Sequence, residues 1–396
     1  MASPGPSPAT DRRPTVRFLV HGAERSGPPI YVLRLLRSWN RHGVGFRPSV
    51  VLGRPGPLVG DFRRVATTTV ARLDRRSPEQ LVGRGMRAMG AASTAEATVR
   101  RATGLRIGRQ RPDLTVVNGA TTPTAALLRA LPAGDRTVMI AHELSTGWFG
   151  NISEADRRLL LDRCRSYLAV SRAVEDLLQS LGVERSRITV VPPPVDLAER
   201  HGSGPRPPGR GQAIVVGGGG MTDWRKAPEL WLQVAAEARR QAPGIPFRFV
   251  WFGGTTPSDP QGWPLRHEVD HLGLAGCVEF LGPVDDPWDV LGRCDLFVST
   301  AREDAAPLVC AEAAGCGVPV VTFDSGGAAE LARDGRCGVV IPYPRVDELA
   351  AAVVRLARDR EQRADLGRNG TAFVEQHRQV DVVARQVGTW LMGALR

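Results

Sequence analysis

The stretch spanning residues 295–331 constrains the fold of this chain most, because it alternates strand-length apolar runs with helix signals. It reads DLFVSTAREDAAPLVCAEAAGCGVPVVTFDSGGAAEL. Residues 295–300 and 318–323 are apolar runs of strand length, and the segment between them starts a helix near Pro307, where a missing N–H is tolerated. Two apolar strands joined by a helix predict a parallel sheet in an α/β fold.

Two acidic residues of this stretch, Asp304 and Glu312, lie eight positions apart across the turn from loop to helix. This spacing keeps them off a common helical stripe. Both can nevertheless point into the crevice at the carboxyl ends of parallel strands, where open α/β sheets bind ligands. We therefore expect a ligand site at that edge.

The same stretch resembles the donor-sugar segment of retaining glycosyltransferases of the GT-B fold, family 4. Members typically read S-R-E-G-F-G-L-V-x-L-E-A-x-A-C-G-x-P-V-V, and residues 300–321 here read TAREDAAPLVCAEAAGCGVPVV. The E-x7-E spacing falls on Asp304 and Glu312, with Asp in the first place, and Ala306 stands where an aromatic residue is usual. Weaker similarity covers residues 16–373. The resemblance implies an α/β fold class with two Rossmann-like lobes whose parallel sheets face a central cleft.

Composition changes along the chain suggest where these lobes begin and end. The first residues are rich in Pro, Ser and Ala without an apolar signal core, and residues 197–212 are rich in Gly, Pro and Arg. We predict a disordered lead (1–14), a first Rossmann-like acceptor lobe (15–196), a linker (197–212), a second nucleotide-sugar lobe (213–376) and a closing helix (377–396). By resemblance, that helix crosses back to the first lobe.

The compartment is predicted from hydropathy and cysteine spacing. No apolar run approaches the ~18 residues of a spanning helix. The six cysteines show no C-x-x-C spacing, which favours buried free thiols. We expect a cytoplasmic protein, with peripheral binding at the inner face of a membrane as a further option.

Positive charge is concentrated in the first half of the chain. Residues 1–200 contain 31 Arg and 17 acids, net +14, whereas residues 201–396 contain 21 basic residues and 24 acids, net −3. Between Arg63 and Arg111 there are 12 Arg and three acids. Two interpretations stay open: a face for an anionic lipid or anionic acceptor, and an ordinary solvated surface. Nucleic acid is disfavoured, because aromatic residues are not interleaved with these arginines.

The candidate cations for a diphosphate are Arg225 and Lys226, which follow a run of four glycines. Lys226 is the only lysine among 52 basic residues, which suggests a site that wants a compact ammonium group. The family usually has an Arg several residues earlier, where this chain has Met221. The backbone N–H groups of Leu308 and Val309 can add to the site.

The resemblance assigns roles to the acids and glycines of the second lobe. Glu312 binds the ribose hydroxyls, Asp304 binds hydroxyls of the donor sugar and acts in catalysis, and Gly326 and Gly327 allow close approach of the nucleotide. The structural alternatives are a solvated helix residue for Glu312, loop capping for Asp304, and an ordinary strand-to-helix turn for the two glycines.

In the first lobe, His142 ends a predicted strand, and the resemblance places such a histidine against the donor sugar as a catalytic residue. Its alternative is a capping or core histidine. Glu143 is either an acid–base group or part of a salt bridge. Gly22 and Gly27 flank the loop after the first strand, which would approach the diphosphate and acceptor. That loop lacks G-x-G-x-x-G, so dinucleotide binding is disfavoured.

Together these features predict a retaining, metal-independent glycosyltransferase that uses a nucleotide-sugar as co-substrate and needs no cofactor. No D-x-D sequence is present, so protein cations rather than a metal are expected to stabilise the leaving diphosphate. The alternatives are a catalytically silent binding or scaffold protein of the GT-B fold, a phosphorylase, and a sugar-nucleotide epimerase. The acceptor class stays open among lipid-linked, polysaccharide and natural-product hydroxyls.

Overall fold

The computed structural model describes residues 13–73, 92–107, 111–200 and 213–396. Most of the predicted lead, most of the linker and the centre of the arginine-rich segment lie outside these ranges. The described residues form two lobes, each built on one parallel sheet. None of the described helices is long and apolar enough to cross a membrane.

The first lobe contains a seven-stranded parallel sheet with the order β3-β2-β1-β4-β5-β6-β7. Its strands are Thr15–Val20 (β1), Arg47–Leu52 (β2), Thr67–Val70 (β3), Leu114–Asn118 (β4), Thr137–Ala141 (β5), Tyr167–Ala169 (β6) and Ile188–Val190 (β7).

The second lobe contains a six-stranded parallel sheet with the order β10-β9-β8-β11-β12-β13. Its strands are Ile214–Gly219 (β8), Phe247–Phe252 (β9), Val278–Gly282 (β10), Leu296–Ser299 (β11), Val320–Phe323 (β12) and Gly338–Ile341 (β13). The predicted fold class, two Rossmann-like lobes with parallel sheets, is confirmed.

Helices connect the strands and cover both sheets. In the first lobe they are Gly27–His42 (α1), Val59–Val65 (α2), Ala92–Ile107 (α3), Thr122–Arg129 (α4), Glu154–Arg163 (α5) and Arg172–Ser180 (α6). The later ones are Pro228–Gln241 (α7), Trp263–His271 (α8), Pro287–Gly292 (α9), Leu308–Gly315 (α10), Gly327–Asp334 (α11), Val346–Arg358 (α12), Arg360–Phe373 (α13) and Val380–Leu395 (α14).

The strand orders fix where a ligand can bind. In each sheet the order reverses between the first strand and the fourth, so the connections leave β1 and β4, and likewise β8 and β11, in opposite directions. Such a reversal opens a crevice at the carboxyl ends of the two strands. The residues that follow β1, β4, β8 and β11 are therefore the ones that the topology makes available to a ligand.

The sequence pattern did not predict two edge strands. The strand β3 has the sequence TTTV and no fully buried residue, and β13, GVVI, is half-buried throughout. Edge strands that pack on one side only do not show the continuous apolar run that identifies the central strands.

The last helix, α14, packs on the first lobe although the second lobe precedes it in sequence. Trp39 Nε1 on α1 donates to the Ala384 carbonyl at 2.9 Å, and Ser38 Oγ donates to Asp381 Oδ1 at 2.7 Å. Leu391, fully buried, joins the core of the first lobe. The chain thus crosses between the lobes twice, once after the first sheet and once before α14.

We predict that Leu391→Ala lowers the free energy of unfolding by about 2–5 kcal/mol, because it leaves a cavity between α14 and the first lobe. Arg385→Ala, an exposed change on the same helix, should change it by no more than about 0.5 kcal/mol. Urea unfolding followed by circular dichroism measures both. Equal effects of the two substitutions would show that α14 does not contribute to this core.

Candidate active site in the cleft between the lobes

The centre of the candidate site is an ion-pair cluster that joins two loops of the second lobe. Asp304, only 8% exposed, lies in the loop after β11, and Lys226 lies in the loop after β8. Lys226 Nζ donates to Asp304 Oδ2, and Arg225 Nη1 lies 3.4 Å from Asp304 Oδ1. The expected diphosphate cations and the expected sugar-binding acid are therefore in one place.

The backbone around this cluster is held tightly. Arg302 N donates to the Arg225 carbonyl at 2.8 Å, and Thr300 Oγ1 donates to the Ala227 carbonyl at 3.0 Å. Ala227 has a φ of 53°, which a non-glycine residue adopts only where its surroundings enforce it. These contacts direct the adjacent Lys226 side chain toward Asp304.

Gly326 and Gly327 make room for the loop that carries Asp304. A Cβ on Gly326 would lie 2.3 Å from the Asp304 carbonyl oxygen, and Gly326 has a φ of 134°. Gly327 N donates to that carbonyl at 2.9 Å. In this structure both glycines pack against the acidic loop, which places them beside the expected sugar site.

The helix α10 starts at the cleft, directly after Pro307. Its first residues, Leu308 and Val309, carry backbone N–H groups that the helix itself cannot pair. Leu308 Cδ1 lies 3.9 Å from the position of a Cβ on Gly27, the first residue of α1. The N-terminal ends of two helices, one from each lobe, therefore lie close together. The unpaired N–H groups at a helix N-terminus favour an anion.

Glu312 lies on α10 and is paired with an arginine of the first lobe. Its Oε1 accepts a hydrogen bond from Arg34 Nη2 at 2.7 Å, and its side chain is 11% exposed. Sequence reasoning missed Arg34, because nothing in the pattern distinguishes it from the other arginines.

Two further carboxylates of the second lobe bind backbone amides of the first lobe. Glu303 accepts a hydrogen bond from Thr146 N at 2.9 Å and another from the Thr146 hydroxyl. Glu330 accepts hydrogen bonds from Arg172 N at 2.9 Å and from Ala173 N at 2.8 Å, at the start of α6. The sequence pattern assigned no role to either acid. In the structure both form hydrogen bonds between the lobes.

His142 follows β5 and is fixed by a polar network. Asn118 Nδ2 donates to the Pro28 carbonyl at 3.0 Å, so Asn118 Oδ1 is the partner of His142 Nε2 at 2.8 Å. This network assigns the hydrogen to Nε2 and leaves Nδ1 as an acceptor. Burial, together with the charge of nearby His21, lowers the pKa of His142 to about 3, so the ring is neutral at pH 7.

Glu143 contacts the loop that follows β4. Its Oε2 accepts hydrogen bonds from Ala120 N at 2.7 Å and His142 N at 3.1 Å. Burial raises the pKa of Glu143 to about 7, although these two hydrogen bonds favour the ionised form. Its hydrogen-bond partners among the described residues are backbone amides, so the salt-bridge alternative has no partner there.

Gly22 lies in the loop between β1 and α1, and Gly27 is the first residue of α1. A Cβ on Gly22 would lie 2.2 Å from Glu24 Oε2, so this glycine packs against a carboxylate of its own loop. Gly27 instead faces α10, as described above. Of the two, the structure therefore places Gly27 at the gap between the lobes.

Within the described residues, no group of three or more His, Cys, Asp and Glu side chains has the geometry to hold a metal ion. Among the described residues, Asp304 instead pairs with two cations, Lys226 and Arg225.

Comparisons with known families match both lobes. Residues 25–199 match Glycosyltransferase Family 4, and residues 212–373 match Glycosyl transferases group 1. The chain therefore belongs to the family 4 glycosyltransferases of the GT-B fold.

Individual proteins show the same relationship. D-inositol 3-phosphate glycosyltransferase of Nocardia farcinica is 29% identical over 273 residues, which are 67% of this chain and 58% of that protein. Alr3699/HepE of Anabaena, solved with UDP and glucose, has a TM-score of 0.73 at 19% identity and covers 96% of this chain and 99% of its own. Sucrose-phosphate synthase of Thermosynechococcus elongatus has a TM-score of 0.75 at 18% identity, with 96% and 99% covered. The match thus spans less than two thirds of the curated relative, and the structural similarities show the fold.

The raised pKa of Glu143 predicts a pH-dependent stability. Because the folded protein holds this proton up to about pH 7 whereas the unfolded chain releases it near 4.5, the contribution of Glu143 is largest below about pH 4.5 and declines as the pH rises to about 7. The difference in unfolding free energy between wild type and Glu143→Gln should therefore fall across this window. Urea unfolding at several pH values measures it, with Glu154→Gln, an exposed change, as the control. A difference that does not vary with pH would contradict the assignment.

Proposed function

We propose that this protein is a retaining, metal-independent glycosyltransferase that moves a sugar from a nucleotide-sugar to an acceptor hydroxyl. The observation that carries the proposal is the cluster of Asp304, Lys226 and Arg225 beside the free amides of α10. A sugar diphosphate has matching chemistry, since its phosphates suit cations and amides while its hydroxyls suit a carboxylate.

In this proposal the acceptor oxygen attacks the anomeric carbon while the bond from that carbon to the diphosphate breaks. Lys226, Arg225 and the amides of Leu308 and Val309 stabilise the negative charge that develops on the leaving diphosphate. The proton of the acceptor hydroxyl passes to an oxygen of that diphosphate on the same face, which retains the configuration.

Three residues would orient the donor. Asp304 accepts hydrogen bonds from hydroxyls of the sugar, and Glu312 accepts them from the ribose. His142 presents Nδ1, a neutral acceptor, to a sugar hydroxyl from the opposite lobe. Because two cations and a helix terminus already supply positive charge at the diphosphate, a metal ion is not required for this role.

Activity assays with a panel of nucleotide-sugars test the proposal. Lys226→Ala and Glu312→Gln should each reduce turnover about 100-fold or more while the circular dichroism spectrum is unchanged, because each removes an interaction that holds the donor or its leaving group. Arg240→Ala, an exposed change on α7, is the control, and EDTA should have no effect. Near-normal turnover of Lys226→Ala, or a strict need for a divalent ion, would contradict the mechanism. Nucleotide-sugar binding without transfer or hydrolysis would indicate a silent binding protein.

We further propose that the acceptor carries an anionic group such as a phosphate. Arg25, Arg54 and Arg72 follow the adjacent strands β1, β2 and β3, and all three are exposed. Neighbouring strands are about 4.8 Å apart, so the loops that carry these arginines follow the same edge of the first sheet. Among the described residues none of the three has an ion-pair partner, unlike the cations at the donor site.

Backbone hydrogen bonds join the loops that follow β1, β2 and β3. Gly53 N donates to the Val20 carbonyl at 2.8 Å, and Leu73 N donates to the Gly53 carbonyl at 2.7 Å, so the three loops pack on one another. Burial lowers the pKa of His21; Glu24 opposes this effect, and the charge of Arg54 adds to it. The curated relative named above glycosylates, by its name, an inositol phosphate, which agrees with an anionic acceptor.

The anionic acceptor is tested with D-inositol 3-phosphate and inositol in parallel transfer assays. Arg54→Gln should raise KM for the phosphorylated acceptor about tenfold and leave KM for the donor unchanged, because a charge-assisted contact to the phosphate is lost. Arg47→Gln, an exposed change at the opposite end of β2, is the matched control. Equal use of both acceptors, or equal effects of the two substitutions, would contradict this assignment.

A further inference from the structure

Arg34 is a buried arginine that joins three separate parts of the chain. Its side chain is 4% exposed. Its Nη2 lies 2.7 Å from Glu312 Oε1 and 2.8 Å from Glu199 Oε2, and its Nη1 donates to the Pro194 carbonyl at 3.1 Å. The guanidinium group therefore contacts α10 of the second lobe and the segment in which the chain leaves the first lobe.

The charge of Arg34 is secured by its partners. Burial by itself disfavours the charged guanidinium, but Glu312 and Glu199 outweigh this effect and raise the pKa of Arg34. A buried charge is tolerated when it is paired and hydrogen-bonded. Glu312 accordingly faces a permanent cation from the opposite lobe.

This contact also restricts the orientation of the Glu312 carboxylate. A carboxylate has two oxygens with about four acceptor positions. Arg34 occupies one position on Oε1 at 2.7 Å, which restrains where that oxygen lies and leaves acceptor positions on both oxygens for a ligand. A side chain that is already fixed loses less conformational entropy when it binds.

We propose that Arg34 is a positioning residue for nucleotide recognition, and that it holds the Glu312 carboxylate in the orientation that accepts hydrogen bonds from both ribose hydroxyls. This inference rests on the proposed function, in which Glu312 binds the ribose. Arg34 touches no substrate itself and acts through Glu312.

The same residue connects recognition of the ribose to the arrangement of the lobes. Val195, next to Pro194, donates to the Arg378 carbonyl at 2.7 Å and accepts from Val380 N at 2.9 Å. Both chain crossings between the lobes therefore meet beside Arg34. A change in the relative placement of the lobes moves Arg34 relative to Glu312, so the ribose site is complete only when the lobes are placed as in this structure.

The experiment measures how strongly the protein discriminates ribose from deoxyribose. Calorimetry gives the affinities of UDP, GDP, ADP and CDP, each measured beside its 2′-deoxy form. Wild type should bind the ribonucleotide of one pair roughly tenfold or more tightly, because the deoxy form lacks a hydrogen bond to a charged group. Arg34→Gln should bring this ratio close to one.

Two further variants separate positioning from a structural role. Arg37→Gln is the matched control, since Arg37 lies on the same helix and contacts Glu199 and Asp61 but not Glu312. Glu199→Gln weakens the contact with the crossing segment and leaves the pair of Arg34 with Glu312. Both should keep the wild-type ratio. If Arg34→Gln does not fold, Arg34→Lys serves instead, and its ratio should lie between those of wild type and one.

The outcomes distinguish this inference from the proposed function. If Arg34→Gln and Arg34→Lys weaken both members of a pair equally and keep the ratio, the role of Arg34 is structural and the inference is wrong. If wild type binds none of these nucleotides, the proposed function itself fails. Loss of discrimination in Arg34→Gln, with the ratio retained in Arg37→Gln and Glu199→Gln, supports the inference.

Discussion

The candidate site depends on ion pairs that neutralise two buried acidic side chains of the second lobe, Asp304 and Glu312. Asp304 and Glu312 are each 8% exposed, and an unpaired charge at either place would cost several kcal/mol. Lys226 and Arg225 neutralise the first acid from within the same lobe, and Arg34 neutralises the second from the opposite lobe. The two acids that we propose bind the donor are therefore held by ion pairs, and one of these pairs, Arg34 with Glu312, also joins the lobes.

The two lobes meet through a repeated kind of contact, in which a carboxylate of the second lobe binds groups of the first. Glu303 contacts Thr146, Glu330 contacts the start of α6, and Glu312 contacts Arg34. A carboxylate at the start of a helix is favourable because it accepts hydrogen bonds from unpaired N–H groups and lies at the positive end of the helix dipole. The net charges agree with these contacts, since the first half of the chain is net positive and the second half is net negative.

The sequence predicted the fold class and the family because both leave local signals. The apolar strands and the helix signals of residues 295–331 lie next to one another in the chain, and so do the acid pair and the glycines. The pairs Glu303 with Thr146 and Arg34 with Glu312 join residues 157 and 278 positions apart, which no local pattern encodes. Edge strands β3 and β13 were missed for the related reason that half-buried strands lack a continuous apolar run.

The sequence by itself determined the alternation of strands and helices, and with it two parallel sheets. It also placed the candidate donor-binding residues in the loops that follow β8 and β11. It also identified Lys226 as a singular cation and Asp304 and Glu312 as a spaced pair of acids. Only the tertiary structure decided which charges meet: Lys226 with Asp304, and Arg34 with Glu312. The physical reason is that strand and helix formation follow from neighbouring residues, whereas these ion pairs join residues 78 and 278 positions apart, the first pair within one lobe and the second across the two lobes.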